Sequence, residues 1–284
     1  MATLRDVRRR IKSVKNIEQI TNAMKMVAAA RLRRAQEAAI SSRPYAEQMQ
    51  RVISTLASTG QTIEHPLLEV RPEENIAVVA IGGERGLCGS YNVNISRKLH
   101  ELLGERRSDT VRLITLGKKM INLVRRLGYA AELTQSLPDR KATFADIRDI
   151  ARTVRGMFES RQVDAVYLVY ARFISPIQQR PMVMRLLPVE QPARIEEAPV
   201  DYIFEPLPAK LLGDLLPRYV DTLLYRALVE AIASEHGARM TAMSAATKNA
   251  GDVIETLTLQ YNKARQAAIT KELLDIVGAA EALR

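Results

Sequence analysis

Residues 229–268 read VEAIASEHGARMTAMSAATKNAGDVIETLTLQYNKARQAA, and their spacing decides the fold. Val229, Ala233, His236, Met240, Met243, Thr247, Ala250, Ile254, Leu257, Tyr261, Ala264 and Ala268 recur at alternating steps of four and three. That is a 3.5-residue period, the pattern of a left-handed coiled-coil seam. Ala, Thr and Met outnumber Leu in it. Small seam residues let two backbones approach closely but bury less apolar area, so each heptad stabilises less. Such a seam suits a thin, stiff rod better than a broad bundle.

A second helical pattern lies at the other end of the chain. Leu4, Val7, Ile11, Val14, Ile17, Thr21, Met24, Ala28, Leu32, Ala35 and Ala39 follow one another at steps of three or four, with Thr3 as a candidate cap. Pro44 predicts a kink or a helix restart, after which Tyr45, Met49, Val52, Ile53 and Leu56 resume the stripe. Pro217 predicts a kink early in the C-terminal helix. Neither end can bury its stripe alone, and long isolated helices are marginal without packing. The simplest solution pairs the two as an antiparallel coiled coil, with "TKELLDIVGAAEALR" (270–284) as a projecting tip.

Between the ends the period changes. "IAVVAI" (76–81), "VRLITLG" (111–117), "VDAVYLVYARF" (163–173) and "MVMRLLPV" (182–189) are short β-rich runs. Helical patterns near 91–103, 118–127 and 143–160 separate the first three, which predicts a parallel or mixed sheet covered by helices. Residues 190–208, rich in Pro and acid, read as a surface connection with little regular structure. The expected fold is therefore α/β plus a long antiparallel coiled coil. Residues 1–58 form the N-terminal shaft helix, 72–190 the central α/β domain and 207–284 the C-terminal shaft helix.

The net charge of +10 is concentrated at the N-terminus, where residues 1–51 hold twelve Lys or Arg against four Asp or Glu. A basic face of this kind fits nucleic acid, anionic lipid or an acidic protein surface, or is simply a solvated helix face. No stretch approaches the roughly 20 apolar residues of a membrane span. The basic N-terminus lacks the apolar core of a signal peptide, and Asp6 and Glu18 argue against a transit peptide. The single cysteine, Cys88, excludes an internal disulfide, and His65, His100 and His236 lack metal-ligand spacing.

The segment most suggestive of chemistry is "GGERGLCGSYN" (82–92), which follows a strand and opens a helix as a phosphate loop would. It matches neither GxGxxG nor GxxxxGK[ST], and reads as a strand-to-helix turn in which Gly82, Gly83, Gly86 and Gly89 relieve strain. Cys88 lies near a helix start that would lower its pKa, but no His or Asp partner can be identified, so it reads as packing. The basic run Arg8, Arg9, Arg10, Lys12 and Lys15 has no interleaved aromatics and belongs to no recognisable nucleic-acid module. No catalytic residue, cofactor or metal site is expected. A nucleotide-binding α/β enzyme and a basic coiled-coil nucleic-acid binder stand as the alternatives.

Two stretches carry a family resemblance. "RRRIKSVKNIEQITNAMKMVAAARLRRAQ" (8–36) resembles the N-terminal helix of F-type ATP synthase gamma subunits, and "YNKARQAAITKELLDIVGAA" (261–280) resembles their C-terminal signature. "SRPYAE" (42–47), "RGLCGSYN" (85–92) and "DYIFEP" (201–206) are similar to further family segments, in the right order. The resemblance implies a non-catalytic rotor of the central stalk: a coiled-coil shaft inside a ring of alpha and beta subunits, with a Rossmann-like domain lower down. It implies contacts with the epsilon subunit and the c-ring, no nucleic acid, and a peripheral place on the cytoplasmic face of a bacterial membrane. Arg265 and Gln266 match the pair that engages beta subunits, with Thr270 and Glu272 beside them. Met24 and Arg239 match coupling positions, and Tyr202, Phe204 and Glu205 match the foot near epsilon and the c-ring. The chain carries neither the photosynthetic regulatory insertion nor a second cysteine.

Overall fold

The periodicities above fold as two compact units in a computed structural model that describes residues 4–58, 65–104, 106–190 and 208–282. The elements are α1 (Leu4–Ser58), β1 (Ile76–Ile81), α2 (Tyr91–Leu103), β2 (Val111–Leu116), α3 (Lys118–Arg126), β3 (Ala131–Gln135), α4 (Arg148–Glu159), β4 (Ala165–Phe173), β5 (Gln179–Leu187) and α5 (Pro208–Ala282). One unit holds residues up to Val27 and from Met240 onward; the other spans Ala28–Arg239.

The first unit is a pair of helical segments in antiparallel register. Thr247 Oγ1 donates to Thr21 Oγ1 at 2.9 Å, and a Cβ on Gly251 would lie 3.7 Å from Glu18 Oε1. Pairs that rise on one helix as they fall on the other define the antiparallel sense. Met243 and Ala250 are buried and Met240, Thr247, Ile254, Leu257, Tyr261 and Ala268 half-buried, as the seam predicts. Two positions differ. Ile17 is 51% exposed while Glu18 takes the seam place between Val14 and Thr21, facing the glycine. Ala264 is exposed. Extending the register brings Leu4 level with Ala264 and Arg265.

The second unit is built on a mixed five-stranded sheet of order β3-β2-β1-β4-β5. β1 pairs in parallel with β2 and β4, β2 with β3, and the β4–β5 hairpin is antiparallel. Every residue of β1 is buried, because both faces of a central parallel strand are covered. On one face Ile95, Leu99 and Leu103 of α2 pack with Met120 and Val124 of α3 against Ile76, Val78 and Ala80. On the other, Val154 and Phe158 of α4, Ile53 of α1 and Leu216, Val220 and Leu224 of α5 cover Ala77, Val79 and Ile81.

Several sequence expectations are corrected here. β3 was not expected; it is an edge strand of half-exposed and exposed residues, too polar to register as an apolar run. The helix expected over 143–160 begins at Arg148, after a short turn over Phe144–Asp146 capped by Thr143 and Asp146. The helix restart offered as one alternative at Pro44 does not occur, since α1 is continuous through it, and α5 is likewise continuous through Pro217. At Pro217 the buried neighbours Leu212, Leu216 and Val220 continue the helical stripe into the core, which offsets the lost hydrogen bond. The 190–208 connection falls almost wholly outside the described residues.

Candidate functional site

The glycine loop after β1 is where distant parts of the second unit converge. Gly83 N–H donates to Asn92 Oδ1 at 2.9 Å, and a Cβ on Gly83 would sit 2.8 Å from that oxygen. The next two amides point at α5. Glu84 N–H donates to Glu235 Oε2 at 3.1 Å and Arg85 N–H to Glu235 Oε1 at 3.2 Å. Two consecutive amides converging on one oxyanion are the geometry of a phosphate loop. Here the anion is a carboxylate of the chain itself.

Arg239, one helical turn further on, closes the arrangement. Its Nη2 donates to Glu235 Oε1 and, at 3.2 Å, to the Arg85 carbonyl. Its Nε donates to the Gly86 carbonyl at 3.2 Å, and its Nη1 lies 3.0 Å from His236 Nδ1. The Arg239 and Glu235 side chains are 8% and 4% exposed. Such a buried pair is stable only because backbone donors and acceptors satisfy the remaining valences of both groups. Tyr91 Oη donates to the Ala231 carbonyl at 3.0 Å and Ser234 Oγ to the Ala171 carbonyl at 2.8 Å, tying the same stretch of α5 to α2 and β4.

The electrostatics follow from this burial. Desolvation, then the guanidinium of Arg239, push His236 down to about 4, so it is neutral at physiological pH. Burial, then the Glu235 carboxylate, push the Cys88 thiol up, the opposite of an activated nucleophile. The phenol of Tyr91 is raised well above its usual value by the same causes. Glu84 is held low although burial opposes this, by Lys118 and by the Lys118 and Leu137 amides. At the surface Asp139 accepts from Arg31 at 3.0 Å and Arg85 at 2.9 Å, hydrogen bonds that hold its carboxyl low. An open cleft beside it, with about 430 Å³ of empty volume, is lined by Arg34, Arg140 and Lys141 above Ala35 and Ala38.

The structure disperses the residues singled out by resemblance. Arg239 is inside the second unit, engaged as above. In the first unit Met24 is half-buried on α1, while Arg265, Gln266, Thr270 and Glu272 are exposed on α5. Around the last four, Ile269, Leu273, Leu274, Ile276 and Val277 are also between 49% and 66% exposed. Tyr202, Phe204 and Glu205 lie outside the described residues. Sequence reasoning missed Glu235 and Asn92. A Glu with an Arg four residues on reads as a solvated helix-surface pair, and its loop partners are some 150 residues away. Among the described residues no cluster of His, Cys, Asp or Glu could hold a metal ion, and no helix is long and apolar enough to cross a membrane.

Comparison with known proteins gives a uniform result. The family model described as ATP synthase matches residues 3–283. The ATP synthase gamma chain of Desulfitobacterium hafniense is 48% identical over 285 residues, covering all of both chains. That of Pelotomaculum thermopropionicum is 44% identical over 284 residues, again covering all of both. Among solved structures, a chain of the Euglena gracilis mitochondrial ATP synthase OSCP/F1/c-ring assembly superposes with a TM-score of 0.68. It is 21% identical, with 99% of this chain and 94% of that one covered. A chain of the Tetrahymena thermophila mitochondrial ATP synthase central stalk and c-ring gives 0.61 at 24% identity, covering 80% and 99%. At these identities the structural matches establish the fold.

Proposed function

The chain belongs to the ATP synthase gamma-chain family, and from that premise we propose that it is the central-stalk rotor of an F-type ATP synthase. It couples ion-driven rotation of the c-ring to ATP synthesis or hydrolysis in the alpha/beta ring and performs no catalysis itself. The observation that carries this is the end-to-end correspondence with bacterial gamma chains, at 48% identity with no part of either chain left over. The loop chemistry supports the non-catalytic part, since the amides that would cradle a phosphate are occupied by Glu235.

In this reading residues 1–58 and 207–284 supply the shaft and 72–190 the central domain. An asymmetric shaft presents a different face to each beta subunit as it turns. Each orientation biases the local open or closed state through differential contacts. Arg265 and Gln266 offer exposed donors to the surrounding wall, and Thr270 and Glu272 lie within the next two turns. Exposed Leu273, Leu274, Ile276 and Val277 fit an enclosing apolar sleeve, because contiguous apolar surface on a protein usually marks an interface. The partners are alpha and beta subunits around the shaft, and epsilon and the c-ring at the foot with Tyr202, Phe204 and Glu205. The chain is placed peripherally, on the cytoplasmic face of the cell membrane.

Copurification from membranes tests this. A tagged chain should bring down alpha and beta subunits with ATP hydrolysis that pumps ions. Recovery of the chain alone, or with nucleic acid, would overturn it.

A further inference from the structure

The contacts of Glu235 do something that an ion pair on a helix surface does not. Its two oxygens take the amides of Glu84 and Arg85, while Arg239 takes the carbonyls of Arg85 and Gly86. Donors and acceptors of one short loop are therefore gripped by two side chains one helical turn apart on α5. The loop is also held from the far side, by Asn92 on the Gly83 amide. We propose that Glu235 and Arg239 form a lock between α5 and the loop after β1, through which torsional load passes between helix and sheet. Arg239 then acts on coupling as a positioning residue and not by touching a partner subunit. This role rests on the rotor reading above.

Three features of the site favour the lock over a partner contact. The Arg239 side chain is 8% exposed, and its hydrogen bonds run to Glu235, His236 and two loop carbonyls. The loop backbone it holds carries Arg85, whose side chain is 60% exposed. A shift of the lock therefore moves a surface cation without Arg239 itself reaching the surface. The polarity is also fixed. Loop amides face position 235 and loop carbonyls face position 239, so exchanging the two charges sets donor against donor and acceptor against acceptor. The exchange keeps an ion pair and loses the lock.

A double-mutant cycle in the membrane-bound holoenzyme tests this, with coupled ATP synthesis as readout and copurification of alpha and beta subunits as the control for assembly. Glu235→Gln and Arg239→Gln each break charge-assisted bonds, and each should lower coupled synthesis by about tenfold. Residues acting through one structure are not additive, so the double variant should be no worse than the worse single. Arg265→Ala, on exposed helix surface, should multiply with either. The charge exchange Glu235→Arg with Arg239→Glu should not restore synthesis. If Glu235→Gln fails to assemble, Glu235→Asp takes its place, keeping the charge but drawing it back by one methylene. Multiplying effects of the 235 and 239 variants, rescue by the exchange, or full coupling in an assembled 235 variant would each overturn the lock. If Arg265→Ala also leaves an assembled enzyme fully coupled, the rotor-contact reading fails instead.

Discussion

Replacing Gly117 by Ala should be among the most damaging single-methyl additions in this chain. Gly117 joins β2 to α3 at φ 90° and ψ 132°, a region that side-chain-bearing residues rarely adopt. Holding Ala there costs about 1–3 kcal/mol in backbone strain. The added Cβ would also meet Gly82 O at 2.6 Å, with Gly82 C and Gly83 O at 3.0 Å. These are backbone atoms and cannot rotate away. They are fixed by Gly82 N–H on the Leu116 carbonyl at 2.9 Å and Lys119 N–H on the Gly83 carbonyl at 3.0 Å. Overpacking against a fixed neighbour costs about another 1–3 kcal/mol, for a total of about 2–6 kcal/mol. Gly128 provides the internal control. Its φ is 79°, but nothing lies within 4 Å of an added Cβ, so Gly128→Ala carries strain without the clash. Urea unfolding of the full chain, followed by near-UV circular dichroism of its nine tyrosines, reads the difference. With a slope of about 1–3 kcal/mol per molar urea, the clash should lower the Gly117→Ala midpoint by about 0.3–3 M relative to that of Gly128→Ala. Equal midpoints would show that the loop yields at no cost and would refute the close-approach argument.

Gly156→Ala should act in the opposite direction. It sits exposed in α4 with open space around its Cβ, and should stabilise by about 0.5–1 kcal/mol in the same assay. His236 should impose a pH dependence. Its pKa falls from 6.5 to about 4 on folding, so the unfolded chain takes up the proton first as pH drops. Stability should therefore decline from about pH 6.5 and level off below about pH 4, by up to about 3 kcal/mol, and His236→Gln should remove that part of the slope. Changing Arg265 and Gln266 together to Ala should slow ATP hydrolysis by the reconstituted complex about tenfold or more, through loss of charge-assisted bonds made at some rotor angles. Helix content should hardly change, since Ala is the best helix former; full activity would mean that the shaft acts by shape alone.

The sequence by itself determined whatever depends on local period. The 3.5-residue spacing from Met240 to Tyr261 reappears as the buried side of a helix pair. β1 coincides with "IAVVAI" and α2 with 91–103, because a wholly apolar run and a regular helical stripe each admit one solution. Tertiary structure decided what depends on pairing. At the seam Glu18 displaces Ile17, because the facing residue is Gly251 and leaves room for a long side chain, which no property of α1 alone could reveal. β3 exists because β2 offers it an edge, not because "AELTQ" is strongly β-forming. Pro217 remains helical because apolar neighbours bury the turn around it. The Glu235–Arg239 grip was invisible for the same reason. Charges four apart on a helix predict an exposed i,i+4 pair, and only the arrival of a loop from 150 residues away turns them into buried ligands for its backbone.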